Sequence, residues 1–280
     1  ANTQQAEYLK DRGTALGMIK TKDYCNYIDT NVISYASGDI MVLYTDGITE
    51  AKDQKGEEYG DDRPVANAVA VDRFLRAGGN IFGKSNVPVL LADWETANPV
   101  YGKTVNPWNA DRTPGGSSGG SAVALAAGLT GHEAGSDIGG SIRNPAHYCG
   151  VYGHKPTWGI CSMAGQSLPG VAHPSDISVI GPMARSAFDL ELALQIIGGP
   201  DAIDGAGWKL ALPKPVRKTL RGWRVAVLTS HPTAETDATV QDSIRALAKF
   251  LSKKGAKVSE RALPAFDLAE AHHVFIQLLR

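Results

Sequence analysis

The sequence predicts an α/β protein, a sheet with helices on both faces. Two observations predict this. Helical and strand-like segments alternate from about residue 64 to residue 280, and glycines stop most of the helices. In addition, a Gly/Ser run at Thr113–Ser121 leads directly into Ala122–Gly128, a small apolar segment suited to a tightly packed helix rather than to a linker.

In chain order, Ile40-Met-Val-Leu-Tyr44 reads as a strand and Thr45-Asp-Gly47 as a turn by its Asp-Gly pair; an acidic stretch runs from Glu50 to Asp62. Val65 to Ala77 is an amphipathic helix closed by Gly78-Gly79, and Asn80-Ile-Phe a short strand. Ala187 to Ile197 is a helix ended by Gly198-Gly199, and Trp223 to Leu228 a buried strand. Asp237 to Lys254 is a helix stopped by Gly255, and Lys257 to Glu260 another strand. A final helix runs from an N-cap at Asp267 toward Arg280.

Composition narrows the function classes. At 43% hydrophobic and 20% charged residues the chain is ordinary for a globular protein. A formal net charge of -1 gives no reason to expect nucleic acid or an anionic membrane as a partner. Cys25, Cys149 and Cys161 show no C-x-x-C spacing, which argues against a disulfide framework or a zinc site. There is no signal-peptide pattern and no long uncharged apolar run, so a soluble, cytoplasmic protein is expected; nothing indicates an oligomeric state.

The chemistry concentrates in Asp137-Ile-Gly-Gly-Ser141. Acyl transfer needs an activated hydroxyl, a base and N–H donors for the developing oxyanion. Glycines before a serine let the backbone turn its N–H groups toward a carbonyl held over the hydroxyl, each donor contributing ~3 kcal/mol in the transition state. Ser117 stands 24 positions earlier in another glycine-flanked run, so both hydroxyls can meet in one cleft.

These residues carry a family likeness. Arg112-Thr-Pro-Gly-Gly-Ser-Ser-Gly-Gly-Ser121, Gly135-Ser-Asp-Ile-Gly-Gly-Ser-Ile-Arg-Asn-Pro-Ala146 and Cys149-Gly-Val-Tyr-Gly-His-Lys-Pro-Thr157 resemble the amidase-signature family. The likeness extends through Phe82–Pro88, Asn106-Pro-Trp108 and Gly181–Arg185 and covers about residues 64 to 280. It implies an α/β/α core with a mixed sheet and cofactor-free hydrolysis of a small-molecule carboxylic amide. The family uses a serine–cis-serine–lysine triad. By resemblance Ser141 attacks the carbonyl, Ser117 relays its proton, and the Gly116–Ser117 peptide is cis. The N–H groups of Ile138, Gly139, Gly140 and Ser141 form the oxyanion hole, and Arg143 contacts substrate or braces the loop. The fold also serves aryl-acylamides, fatty amides and a component of a tRNA-dependent amidotransferase; no residue here selects among them.

The family's lysine lies in an Ile-Lys-Asp type motif on a strand well upstream of Ser117. Counting back leads to Gly38–Thr45, which contains no lysine. Lys22-Asp23 lies too far upstream, and Lys84 belongs to a different family element. Weak or absent activity is therefore expected.

The first 63 residues account for the gap. Arg12–Gly17, Ser37–Ala51 and Gly56-Glu-Glu-Tyr-Gly60 resemble the carboxy-terminal part of bacterial sigma-regulator metal-dependent serine phosphatases. Asp46 matches a metal-binding aspartate there, but one carboxylate does not make a two-metal site, so Asp46 is read as a turn residue and no metal is expected. The expected organisation is a short β-rich phosphatase-like fragment over 1–63, a junction near Gly60–Pro64, and an amidase-signature core over 64–280, shortened at its C-terminal end. A phosphatase-like regulatory module and a non-catalytic chimera remain the alternative readings.

Two other motifs fail on context. Gly78–Ser85 fits a phosphate-loop pattern, but a helix precedes it and Pro88 follows. Gly116-Ser-Ser-Gly-Gly120 fits the nucleophile elbow but lacks the hydrophobic strand leading in. His147 and His154 are expected to be packed near the core.

Overall fold

The computed structural model describes residues 40–44, 66–166, 176–214, 216–232, 234–262 and 265–279. The Thr45–Gly47 turn, the acidic stretch and Lys22 lie outside the described residues. By internal packing the chain divides into two units, Ala1–Leu210 and Ala211–Arg280.

The first unit is built on a five-stranded mixed sheet. Its strands are β1 (Ile40–Tyr44), β2 (Gly79–Lys84), β5 (His132–Asp137), β6 (Tyr152–Gly153) and β7 (Val179–Ala184), in the order β2-β1-β5-β7-β6. β1 runs parallel to both neighbours, placing Tyr44 beside Lys84 on one side and Ala134 on the other. β7 is antiparallel to β5 and β6, which makes the sheet mixed. Between β2 and β5 the chain forms a two-stranded hairpin, β3 (Ala97–Asn98) with β4 (Gly102–Lys103).

Helices cover both faces. On one face, α1 (Val69–Arg76) and α4 (Ala187–Ile197) pack Phe74, Ala193 and Ile197 against Ile81, Ala134 and Ile180 of the strands. On the other, α2 (Gly119–Ala126) and α3 (Arg143–Cys149) pack Val123, Leu125 and Ala146 around Ile142 and Met183. Each large side chain fully removed from water contributes roughly 2 kcal/mol. Two apolar layers with a sheet between them are the α/β/α core expected.

Local chemistry explains the helix limits. Ala70, Val71 and Phe74 form the buried stripe of α1, which stops at Gly78, whose φ of +88° is open to glycine. α4 starts at Ser186, whose hydroxyl accepts the Asp189 N–H at 3.1 Å. At its other end the Arg73 guanidinium donates to the carbonyls of Ile197, Gly199 and Pro200 at 2.6, 2.9 and 2.5 Å. α2 departs from helix propensity and opens Gly-Gly-Ser. Its reason is contact: a Cβ at Gly119 would meet Thr96 Oγ1 at 2.1 Å, and one at Gly120 the Asn86 backbone at 2.5 Å.

The second unit runs from β8 (Arg224–Ala226) through α5 (Ala238–Lys253) to β9 (Lys257–Ser259), with the two strands parallel, and ends in α6 (Leu268–Leu278). Asp237 and Asp267 cap the two helices as the sequence predicts. The strand at Trp223 differs from expectation: Trp223 and Leu228 are exposed, because a two-stranded sheet has no further strand to enclose them among the described residues.

Candidate active site

Two loops meet at the C-terminal end of β5. The first, Thr113–Ser118, precedes α2; the second, Ile138–Ile142, joins β5 to α3. They are tied by the Ser118 N–H, which donates to the Ser141 carbonyl at 3.1 Å. The Ser118 hydroxyl binds the Ser136 backbone, accepting its N–H at 3.3 Å. Ser117 and Ser141 are both buried, at 1% and 3% exposure. The structure therefore brings the two predicted serines to one place.

The first loop needs its glycines. Gly115 has φ +81°, and a Cβ there would stand 2.3 Å from Asn144 Oδ1. At Gly116 a Cβ would meet the Asp93 carbonyl at 2.7 Å and the Trp94 Cα at 3.1 Å. The Gly116–Ser117 peptide is cis, as the resemblance implies. Thr96, itself fully buried, donates its hydroxyl to the Gly115 carbonyl at 2.8 Å.

The second loop is organised by Asp137, at the end of β5 and fully buried. Its carboxylate accepts the backbone N–H groups of Gly140, Ile142 and Arg143 at 3.0, 3.1 and 3.2 Å. It also accepts Arg143 Nε and Nη2 at 3.0 and 2.9 Å. Burial pushes the carboxyl upward, but the Arg143 guanidinium and these N–H donors outweigh it and hold it below the usual range. The half-exposed Arg143 side chain is thus bonded to Asp137 within its own loop. Lys155 lies within electrostatic range of both groups; burial lowers its pKa, and it donates to the Ile177 carbonyl at 3.1 Å.

Gly140 differs from expectation. Its N–H, at φ +117°, is turned to Asp137 instead of outward. The N–H groups of Ile138, Gly139 and Ser141 have no acceptor among the described residues. Beside Gly140 stand two side chains that sequence reasoning did not single out: a Cβ there would lie 3.8 Å from Asn144 Cβ and 3.9 Å from Trp94 Nε1. Trp94 is exposed next to both loops. A spacing signal existed for Asp137, a carboxylate three residues ahead of a glycine; none existed for Trp94.

Behind the loops runs a buried polar chain. Glu133 on β5 accepts the Ser121 hydroxyl at 2.8 Å, and Ser121 and Ser85 lie 3.1 Å apart. No hydrogen bond joins a lysine to Ser117 or Ser141 among the described residues. Two histidines depart from expectation: His147 faces outward on α3 and His154 follows the short strand β6, so both are exposed. Among the described histidines, His132 is the buried one. Gly79–Lys84 is itself a strand, followed by a short 3-10 turn at Val89–Leu91 and not by an α-helix, which excludes a phosphate loop. No group of ligands able to hold a metal occurs among the described residues, and none of their helices is long and apolar enough to cross a membrane.

Known proteins resemble this chain in sequence and in fold. Residues 58–279 match the Amidase family, and residues 1–76 match Stage II sporulation protein E (SpoIIE). A glutamyl-tRNA(Gln) amidotransferase subunit of Deinococcus radiodurans is 40% identical over 217 residues, 75% of this chain and 43% of that protein. The chain thus spans less than half the length of this relative. Among solved structures, the corresponding subunit from Thermotoga maritima superposes with a TM-score of 0.68 at 28% identity, over 85% of this chain and 58% of that one. A bacterial aryl acylamidase of the amidase-signature family gives 0.71 at 25% identity, over 86% and 51%. With a match over most of its length and two glycine loops converging on Ser117 and Ser141, the chain belongs to the amidase family.

Proposed function

We propose that the chain is an acyl-transfer core acting on a small carboxylic amide, with Ser141 as nucleophile and Ser117 as its proton relay. The Ser118–Ser141 hydrogen bond of 3.1 Å carries this reading, because it ties the residue after Ser117 to Ser141 and so keeps the two buried serines close together. In the reaction, Ser141 Oγ would bond to the amide carbon while its proton passes to Ser117. Collapse of the tetrahedral intermediate would break the C–N bond, the amine leaving with the relayed proton, and water would then cleave the ester. Ile138, Gly139 and Ser141 supply the N–H donors, and Gly140 shapes the loop that aims them.

The step that limits this chain is taking the first proton. The family's lysine belongs to a strand upstream of Ser117, and β1 is the strand in that part of the sequence, without a lysine. Turnover is accordingly weak. We also read residues 1–63 as a phosphatase-like fragment and 64–280 as the amidase core, with β1 of the fragment serving in the core's sheet.

A fluorophosphonate probe tests the reading. Labelling confined to Ser141, abolished in Ser141→Ala and sharply slowed in Ser117→Ala, is expected. An unlabelled wild-type chain defeats it. The SpoIIE match supports a second reading, a phosphatase-like module. Mn- or Mg-dependent phosphoester cleavage that survives Ser141→Ala would favour that instead.

A further inference from the structure

Ser117 and Ser141 sit on separate loops, so their relative position depends on whatever joins those loops. One link is backbone to backbone, from Ser118 to Ser141. The other runs through one side chain. Asn144, in the first turn of α3, donates its backbone N–H to the Gly140 carbonyl at 2.7 Å. Its side-chain Oδ1 accepts the N–H of Gly116, the residue just before Ser117, at 3.3 Å. Asn144 therefore touches the nucleophile loop with its main chain and the relay loop with its side chain.

The fit is specific in size and chemistry. Gly115 leaves the space that Oδ1 occupies, since a Cβ there would lie 2.3 Å away. A longer side chain at position 144 would overrun that clearance, and an aliphatic one would leave the Gly116 N–H without its acceptor. Asp137, by contrast, bonds only within its own loop and into α3, at Gly140, Ile142 and Arg143. Shape within the nucleophile loop and spacing between the loops are set by different residues.

We propose that Asn144 is a positioning residue that fixes the relay serine Ser117 relative to Ser141. The proposal rests on the acyl-transfer reading for its consequence, and on the Asn144–Gly116 contact for its geometry.

The test compares Asn144→Leu, matched in length and branching but without an acceptor, with Asn144→Asp, which keeps one; Asn144→Ala replaces the leucine variant if that does not fold. An alkyl fluorophosphonate is titrated against each full chain to separate the saturating labelling rate at Ser141 from the half-saturating concentration. Amide hydrogen exchange is followed over 113–118. Asn144→Leu should lower the saturating rate about tenfold and leave half-saturation within about twofold, with faster exchange in that segment. Asn144→Asp should restore the rate to within about threefold of wild type. Equal losses in the two variants, a wild-type rate in Asn144→Leu, or unchanged exchange would each overturn the proposal. If the wild-type chain does not label, the acyl-transfer reading fails, and the exchange measurement alone decides whether Asn144 joins the loops.

Discussion

Arg143 holds Asp137 through two hydrogen bonds, Nε to Oδ2 at 3.0 Å and Nη2 to Oδ1 at 2.9 Å, with the carboxylate fully buried and the guanidinium half exposed. Removing the guanidinium strands a buried charge. Arg143→Met should cost about 3 kcal/mol, measured by urea denaturation, and Asp137→Asn a comparable amount. The pH dependence has a definite sign. The folded carboxyl lies below its ordinary 3.8, so it is the unfolded chain that takes up a proton first. Its stabilisation is complete above that value and is lost as pH falls through it toward the folded pKa. An acid limb that is the same in wild type and Asp137→Asn would contradict this.

A second titration lies higher. Burial lowers the His132 pKa from 6.5, opposed by Asp189, and Nδ1 is buried without a partner among the described residues. A base with a depressed folded pKa is protonated first in the unfolded chain, so stability should decline as pH drops below 6.5 toward the folded value. His132→Phe should flatten the stability curve in that window and leave the Asp137 limb in place.

Gly135→Ala tests the packing of the relay loop. The new methyl would stand 2.6 Å from Ser118 Oγ and 3.0 Å from its Cβ, and Ser118 is the residue bonded to Ser141. Overpacking of this kind should destabilise by about 1–3 kcal/mol and slow probe labelling of Ser141. Labelling at the wild-type rate would show that the loop yields without moving Ser117.

Arg73→Met separates stability from chemistry. Three carbonyls at the end of α4 lose their donor, a loss of about 2–4 kcal/mol, visible as a lower thermal midpoint. Below that midpoint, Ser141 labelling should be unchanged, because Arg73 contacts neither serine loop.

The base can be supplied. Thr45 follows β1 directly, within the stretch where the family's lysine is expected. Thr45→Lys should raise the labelling rate of Ser141 at least about tenfold above pH 8, where a lysine of lowered pKa begins to lose its proton. No rise at any pH would place the missing base elsewhere.

What the sequence disclosed depended on local signals. α4 was legible because Ser186 and Gly198 mark its ends, and both serines because glycine runs surround them. β5 was not: His132-Glu-Ala-Gly-Ser-Asp137 shows no alternation, being almost wholly buried, with Glu133 Oε2 accepting the Ser121 hydroxyl from a helix. β7 was hidden by Pro182, which ordinarily argues against an interior strand. In the site, the glycines revealed flexible N–H groups but not their direction, since Asp137 claims that of Gly140. Asn144 carries no pattern at all; its role comes from a contact 28 residues back in sequence.

The position of β1 has a practical consequence. Because it lies between β2 and β5, expressing residues 64–280 alone would open a slot in the middle of the sheet. Two strands would then present unpaired backbone to any passing chain, an invitation to aggregation. A peptide carrying Ile40–Tyr44, added in trans, would be the natural plug.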